Sequence, residues 1–378
     1  MTDGRHYYTS SLFAHCGTVV YISDPVLIKK VLVNEPTGFT RSPYAKKMCP
    51  LFGNGVFTSL GKEHAMQRKS LNPYFSTVNV QEYLPIFVKK TKELAEFWSQ
   101  KLAQNKNLPF ETEIMEKFIH LTLDIISLAA FGYDFDCVSN GHSEESSSFN
   151  KIMCGNFNVV RKSLETLIPF LKLIPSKERD EEDKAEKVCW NVLERIIEQK
   201  KSEVNPNSSD APMKKNLLDK MIELSNSGCS SFTSRDLLHH VFTFMIGGHE
   251  TTSTTLTWMV FLFAKHPEVQ EKAKEEVRKV LGNKQDITMS DISELAYLSN
   301  CINECMRLYP VGAGFGRLAA KECKLGQYTI PANTCMMISL ASLHHNEKYW
   351  KNPEDFNPSR FDKAGQALDV IQGCIRLL

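Results

Sequence analysis

A mainly α fold with a long central helix and a small β region is predicted by three observations. Apolar residues recur at three- and four-residue spacing through most of the first two thirds of the 378-residue chain. One run, Asp236 to Lys265, is opened by the capping box Thr233-Ser234-Arg235-Asp236 and closed by His266-Pro267. It predicts a helix of about 30 residues, roughly 45 Å long. Near the other end, Tyr328 to Thr334 reads as strand and turn leading into a strand from Met336 to Leu340.

Taken in order, Thr18 to Ser23 reads as a strand and Pro25 to Asn34 as a helix that Pro25 begins, followed by a turn or loop from Gly38 to Ser42. Gly53-Asn54-Gly55 is a turn, Val56 to Ser59 short and extended, and Lys62 to Leu71 a basic helix. Glu82 to Gln104 and Glu111 to Phe131 are scaffold helices, the second apolar enough around Ile125 to Ala130 to be core. Val138 to Ser148 reads as a polar loop and Phe149 to Leu164 as helical. Leu167 to Pro175 is an apolar loop that touches a membrane, covers a pocket or is buried on the core. Lys177 to Val204 is a charged helix, Val204 to Lys215 a loop and Asn216 to Leu224 a short helix. Beyond the central helix, Pro267 to Leu281 is a helix stopped at Gly282, Ser290 caps a short one, and Tyr297 to Tyr309 forms another.

Composition narrows the class. With 42% hydrophobic and 24% charged residues the chain has the material for a sizeable core, and nothing reads as an inter-domain linker, so one large domain is expected. A net charge of +1 argues against nucleic acid as a partner. Eleven cysteines without regular spacing or a signal peptide point to reduced thiols, and Cys301 and Cys305 lack the partners a metal site would need. Met1 to Tyr8 is polar and no run reaches about 18 apolar residues, so no membrane anchor is expected.

The centre of the long helix is where chemistry is expected. Gly247-Gly248 costs a helix about 1 kcal/mol per glycine, yet paired glycines let a ligand approach the backbone. Glu250 beside Thr251 offers a proton source next to a hydroxyl. A proton-delivery site in a helix groove and a core helix kinked by packing both fit. A membrane span fails on Glu250 and its polar neighbours, and a zinc-protease motif fails because Ser253 stands where a second His is needed. His64 and Arg68, four apart, either bind an anion or form a solvated face. Glu304 and Arg307, three apart, are either surface decoration or a partly buried pair that needs further partners.

Together, Gly247-Gly248-His249-Glu250-Thr251-Thr252, Glu304-Cys305-Met306-Arg307 and Phe356-Asn357-Pro358-Ser359-Arg360-Phe361 resemble, in order, the oxygen-activation, Glu-x-x-Arg and following Arg motifs of the cytochrome P-450 family, the haem-thiolate monooxygenases, and in particular its microsomal eukaryotic members. The resemblance implies a single P-450 domain over residues 1–378, haem b as cofactor, and monooxygenation of a lipophilic substrate with dioxygen. Electrons would come from NADPH through a reductase docking on the face with Lys62 and Lys69. It gives catalytic roles to Glu250 and Thr251 and cofactor-binding roles to His64, Arg68, Gly247, Gly248 and Arg317. It makes Glu304, Arg307 and Arg360 a buried triad. It draws the pocket lining from Lys47 to Gly55, Phe149 to Pro175, Phe242 to Ile246 and Val311 to Phe315, and places the protein on the cytosolic face of the endoplasmic reticulum membrane. The pattern breaks after Phe361, where the family's Phe-x-x-Gly-x-Arg-x-Cys-x-Gly is expected. Cys374 is the one candidate iron ligand, with Ala367, Val370, Gln372 and Arg376 at the flanking positions. The chain is therefore expected to lack both the N-terminal anchor and the C-terminal cysteine loop. The alternative reading is a non-catalytic helical remnant or binding protein without a working haem-thiolate centre.

Overall fold

The computed structural model describes residues 7–10, 19–35, 37–41, 52–141, 143–156, 168, 170, 174–203, 215–229, 232–284 and 286–362. In chain order these form β1 (Tyr7–Ser10), β2 (Val19–Ile22), α1 (Pro25–Lys29, running on as a π-turn over Lys30–Asn34) and β3 (Phe39–Arg41). Next come α2 (Gly61–Leu71), α3 (Thr77–Gln81), α4 (Leu84–Gln104), α5 (Ile114–Phe131), α6 (Cys137–Asn140), α7 (Glu144–Asn156), α8 (Lys177–Glu203) and α9 (Leu217–Asn226). The central helix is α10 (Ser234–Lys265), followed by α11 (Pro267–Leu281), α12 (Met289–Glu294) and α13 (Ala296–Leu308). Strands β4 (Gly314–Ala319), β5 (Cys323–Leu325), β6 (Tyr328–Ile330) and β7 (Cys335–Ser339) precede α14 (Leu340–His344). The fold is mainly helical with a small β region, as the spacing predicts. Among the described residues no helix is long and apolar enough to cross a membrane.

The chain divides into two compact units. The first, Ala45–Thr257 with Asn283–Ile292, is helical. Its core joins Leu123 and Phe131 of α5, Leu193 of α8, Met221 of α9 and Phe242 of α10, all buried. Helix α10 starts where the capping box predicts: Thr233 donates its backbone N–H and hydroxyl to Asp236, and the Asp236 N–H donates back to Thr233 Oγ1 at 3.2 Å. Lys90 of α4 is 1% exposed and meets Asp134 at 2.9 Å, Glu93 at 3.1 Å, and Asp124 and Asp136 at 3.7 Å. Burial alone would lower the Lys90 ammonium, but hydrogen bonds to Asp134 and Glu93 outweigh it and raise it. Asp124, Asp134 and Asp136 thus surround an ammonium that belongs to the fold.

The second unit, Met1–Tyr44 with Trp258–Gly282 and Ser293–Leu378, carries the sheet. Strand order is β1-β2-β7-β4-β3, with β2 and β7 parallel and the other neighbours antiparallel; β5 and β6 form a separate hairpin. Ile22, Phe39, Met336 and Ile338 of this sheet are buried against Ile28 and Leu343. Asp24 starts α1 by accepting the N–H of Val26 and Leu27. A further apolar cluster packs Met259 and Leu262 of α10 on Cys301, Cys305 and Leu308 of α13. Burial pushes the thiols of Cys301 and Cys305 up to about 12, so these are core side chains.

Several local expectations are corrected. Residues 39–41 are a strand, because Phe39, Thr40 and Arg41 pair with Ala319, Leu318 and Arg317. Val56 to Ser59 is turned instead of extended, since Thr58 Oγ1 donates to the Gly53 carbonyl at 2.7 Å and the Ser59 N–H to that of Gly55 at 3.0 Å. The loop expected from Val138 to Ser148 holds α6 and the start of α7; Asp124 accepts the N–H of Cys137 and Val138 and so begins α6. Thr288 instead of Ser290 caps α12, in a reciprocal pair with Asp291. The Leu167 to Pro175 and Val204 to Lys215 expectations fall largely outside the described residues, and Cys374 entirely so.

Candidate active site

In the helical unit the central motif lies on an unbroken α-helix. Two neighbouring glycines there do different things. A Cβ on Gly248 would lie 2.5 Å from Ile126 Cγ1, so this glycine lets α5 pack closely on α10. A Cβ on Gly247 would meet nothing within 4 Å, and Gly247 and Thr251, one turn apart, are exposed. On their other side Met245, Ile246 and His249 are buried. The helix therefore presents a strip of bare backbone and the Thr251 hydroxyl to open space, while Met245, Ile246 and His249 face the core.

Thr251 Oγ1 donates to the Gly247 carbonyl at 2.8 Å, which ties the hydroxyl back onto the strip. Glu250 is half-buried, and burial raises its carboxyl above the usual carboxylate range. A carboxyl that holds its proton more readily than a surface acid thus stands next in sequence to an exposed hydroxyl. His249 takes no part in this: it is 1% exposed, its Nδ1 lies 2.8 Å from the Met245 carbonyl, and burial lowers its pKa.

His64 and Arg68 stand one turn apart on α2, His64 half-buried and Arg68 exposed, beside the exposed Lys62 and Lys69. Among the described residues no carboxylate pairs with Arg68. Sequence reasoning missed how the preceding loop is held. Gln67, fully buried, accepts from Ser59 Oγ at 2.6 Å and donates to the Asn54 carbonyl at 2.9 Å. The Asn54 and Val56 N–H groups donate to Nδ1 of His239 and His240 on α10. Gly53 and Gly55 allow that approach, since a Cβ on Gly53 would enter the His239 ring. The Gly-Asn-Gly turn was the readable part of this signal; its histidine partners, some 185 residues on, were not.

In the sheet unit, Glu304, Arg307 and Arg360 come together. Arg307 donates to Glu304 from Nε at 2.7 Å and from Nη2 at 2.9 Å, and Arg360 Nε donates to Glu304 Oε1 at 3.0 Å. The Asn357 N–H adds a further donor to Glu304, and Arg307 donates to the carbonyls of His344 and Asp355. A buried ion pair needs such satisfaction to persist. Arg317, on β4, has a different environment. Its Nη1 donates to the Gly316 carbonyl, its guanidinium lies over Phe315, and Arg41 is its cross-strand neighbour. Burial, then the Arg41 charge, lowers its pKa, and no described carboxylate pairs with it. Like charges opposed across a ladder repel, so an anionic group beside the Arg317 guanidinium would be stabilising there.

Each unit by itself agrees with a flat group bearing carboxylates: the helical one offers an open backbone strip to a ring, and the sheet one a desolvated guanidinium to an acid. A family model described as cytochrome P-450 matches residues 6–371. The chain belongs to the cytochrome P-450 family. Among its curated P-450 relatives, cytochrome P-450 734A1 of Arabidopsis thaliana is 29% identical over 351 residues, covering 90% of this chain and 63% of that protein. Cytochrome P-450 4c21 of Blattella germanica is 32% identical, covering 90% and 68%. Taurochenodeoxycholic 6 alpha-hydroxylase of Sus scrofa is 27% identical, covering 91% and 68%. The chain spans about two thirds of the length of these relatives.

Proposed function

We propose that this P-450 chain is a haem-dependent monooxygenase of a lipophilic substrate. The observation that carries the reading is the Gly247 to Thr251 strip, where exposed backbone, an exposed hydroxyl and a carboxyl of raised pKa fall within five residues of one helix. Haem b, when bound, supplies the iron at which dioxygen is activated. Arg317, His64 and Arg68 would hold its carboxylates, and Gly247 would let its ring approach the helix backbone. Thr251 would offer its hydroxyl as a hydrogen-bond donor at the ring face, exchanging its present bond to Gly247, and Glu250 would be the proton source beside it. Because the Glu250 carboxyl is raised, it gives up its proton closer to neutral pH than an ordinary glutamate does.

The lipophilic substrate class is carried over from the family, and a hydroxylase among the relatives fits it. Electrons from NADPH would arrive through a reductase docking at Lys62 and Lys69, which are exposed on α2. Residence at the endoplasmic reticulum membrane is carried over from the family.

The carbon monoxide difference spectrum of the reduced, haem-loaded chain tests the reading. A red-shifted Soret band from a thiolate-bound haem, together with NADPH-dependent hydroxylation of a lipophilic probe, is the expected result. Haem-free protein, or haem without the shifted band, would instead favour the binding-protein alternative. The same spectrum on Cys374→Ser tests the candidate ligand.

A further inference from the structure

The active strip of α10 is unusually rich in competing hydrogen bonds. The carbonyls of Gly247, Glu250, Thr251 and Ser253 each accept a hydroxyl from their own helix, donated by Thr251, Ser253, Thr255 and Thr257 at 2.8 to 3.0 Å. Hydroxyls that bond back onto a helix divert its carbonyls and favour bending. With Gly247 and Gly248 added, this is the softest sequence in the helix.

One donor comes from elsewhere. Thr122 of α5, 3% exposed, places its Oγ1 2.9 Å from the His249 carbonyl and 2.8 Å from the Phe118 carbonyl. A hydroxyl has a single proton, so the His249 carbonyl shares it with the Phe118 carbonyl and, at 3.3 Å, with that of Ile119. One turn further along α5, Ile126 fills the notch that Gly248 leaves. Thr122 and Ile126 thus hold α10 at two consecutive residues, Gly248 and His249, immediately before Glu250 and Thr251.

We propose that Thr122 is a positioning residue for Glu250 and Thr251, its hydroxyl fixing the soft helix segment at His249 so that carboxyl and hydroxyl keep one placement. The Ile126 contact sets how closely the helices approach, and the Thr122 bond sets rotation and register. The role for proton delivery rests on the monooxygenase reading; the anchoring of the helix does not.

Two measurements test it. In the chain as it stands, amide hydrogen exchange is followed in Thr122→Val and Thr122→Ser. Exchange at Glu250 to Thr254 is expected to rise about three- to tenfold in the Val variant, the size of one lost hydrogen bond, and to return in the Ser variant. Rates in α8 and α9 should stay unchanged. Unchanged exchange at Glu250 to Thr254, or an equal rise throughout the unit, overturns the anchoring. In haem-loaded protein with NADPH and reductase, Thr122→Val should release more peroxide per NADPH and lower kcat with KM within about twofold, again restored by Ser. Local exchange that rises while coupling stays intact overturns the positioning role. Failure to form the thiolate band counts against the monooxygenase reading, and the exchange arm still decides the anchor.

Discussion

Glu304 and Arg307 are joined by two hydrogen bonds, of 2.7 and 2.9 Å, and neither side chain reaches solvent. Arg307 is also the donor to the carbonyls of His344 and Asp355, so one guanidinium ties α13 to two later segments. Replacing it by Ala leaves a buried carboxylate with Arg360 as its remaining cation. Arg307→Ala is expected to lower stability by about 3–5 kcal/mol. A denaturant midpoint shift worth about 0–1 kcal/mol, the range of exposed pairs, would contradict this burial.

The two central glycines should respond oppositely to the same change. Gly247→Ala adds a methyl to open space and should raise helix stability by up to about 1 kcal/mol, while weakening haem binding if the strip faces the ring. Gly248→Ala drives a methyl into Ile126 and should cost about 1–3 kcal/mol. A double-mutant cycle with Ile126→Ala should show that cost largely cancelled.

His344 is buried beside Arg307, and burial followed by the Arg307 charge lowers its pKa to about 4. The unfolded chain takes up this proton near pH 6.5, the native one only near pH 4. Between those values the unfolded state binds more protons, so stability falls as pH falls, by up to about 1.4 kcal/mol per unit from this group. His344→Phe should flatten that part of the stability profile. An unchanged slope would assign it to other groups.

For Thr251→Ala the expectation is retained substrate binding with reducing equivalents lost as peroxide, because the exposed hydroxyl beside Glu250 is removed and the helix keeps its shape. Product formed per NADPH is the measurement, and an unaltered ratio would remove Thr251 from proton delivery.

What could be read from the sequence was what is encoded locally. Thr233 and Asp236 announce the start of α10 because both halves of the cap lie within four residues. Pro267 and Gly282 bound α11 for similar reasons. The misses have distant partners. Helix α6 is begun by Asp124, 13 residues away, and the β3 residue Phe39 is extended because Ala319 pairs with it. In the site, Glu250 and Thr251 stood out through their glycines. Thr122 and Gln67 did not, since a threonine or glutamine inside an apolar helix looks the same whether or not it anchors a neighbouring segment.

The parallel pairing of β2 with β7 joins Val19 to Cys335 and Ile22 to Ile338. Closing a loop of that length carries a substantial entropic penalty before any contact repays it. During synthesis at roughly 5–20 residues per second, β2 therefore waits tens of seconds for its neighbour, while Ala45–Thr257 can collapse as soon as it emerges. In that interval the edge of β2 opposite β1 offers unpaired amides and carbonyls, an edge of the kind on which a foreign strand can pair.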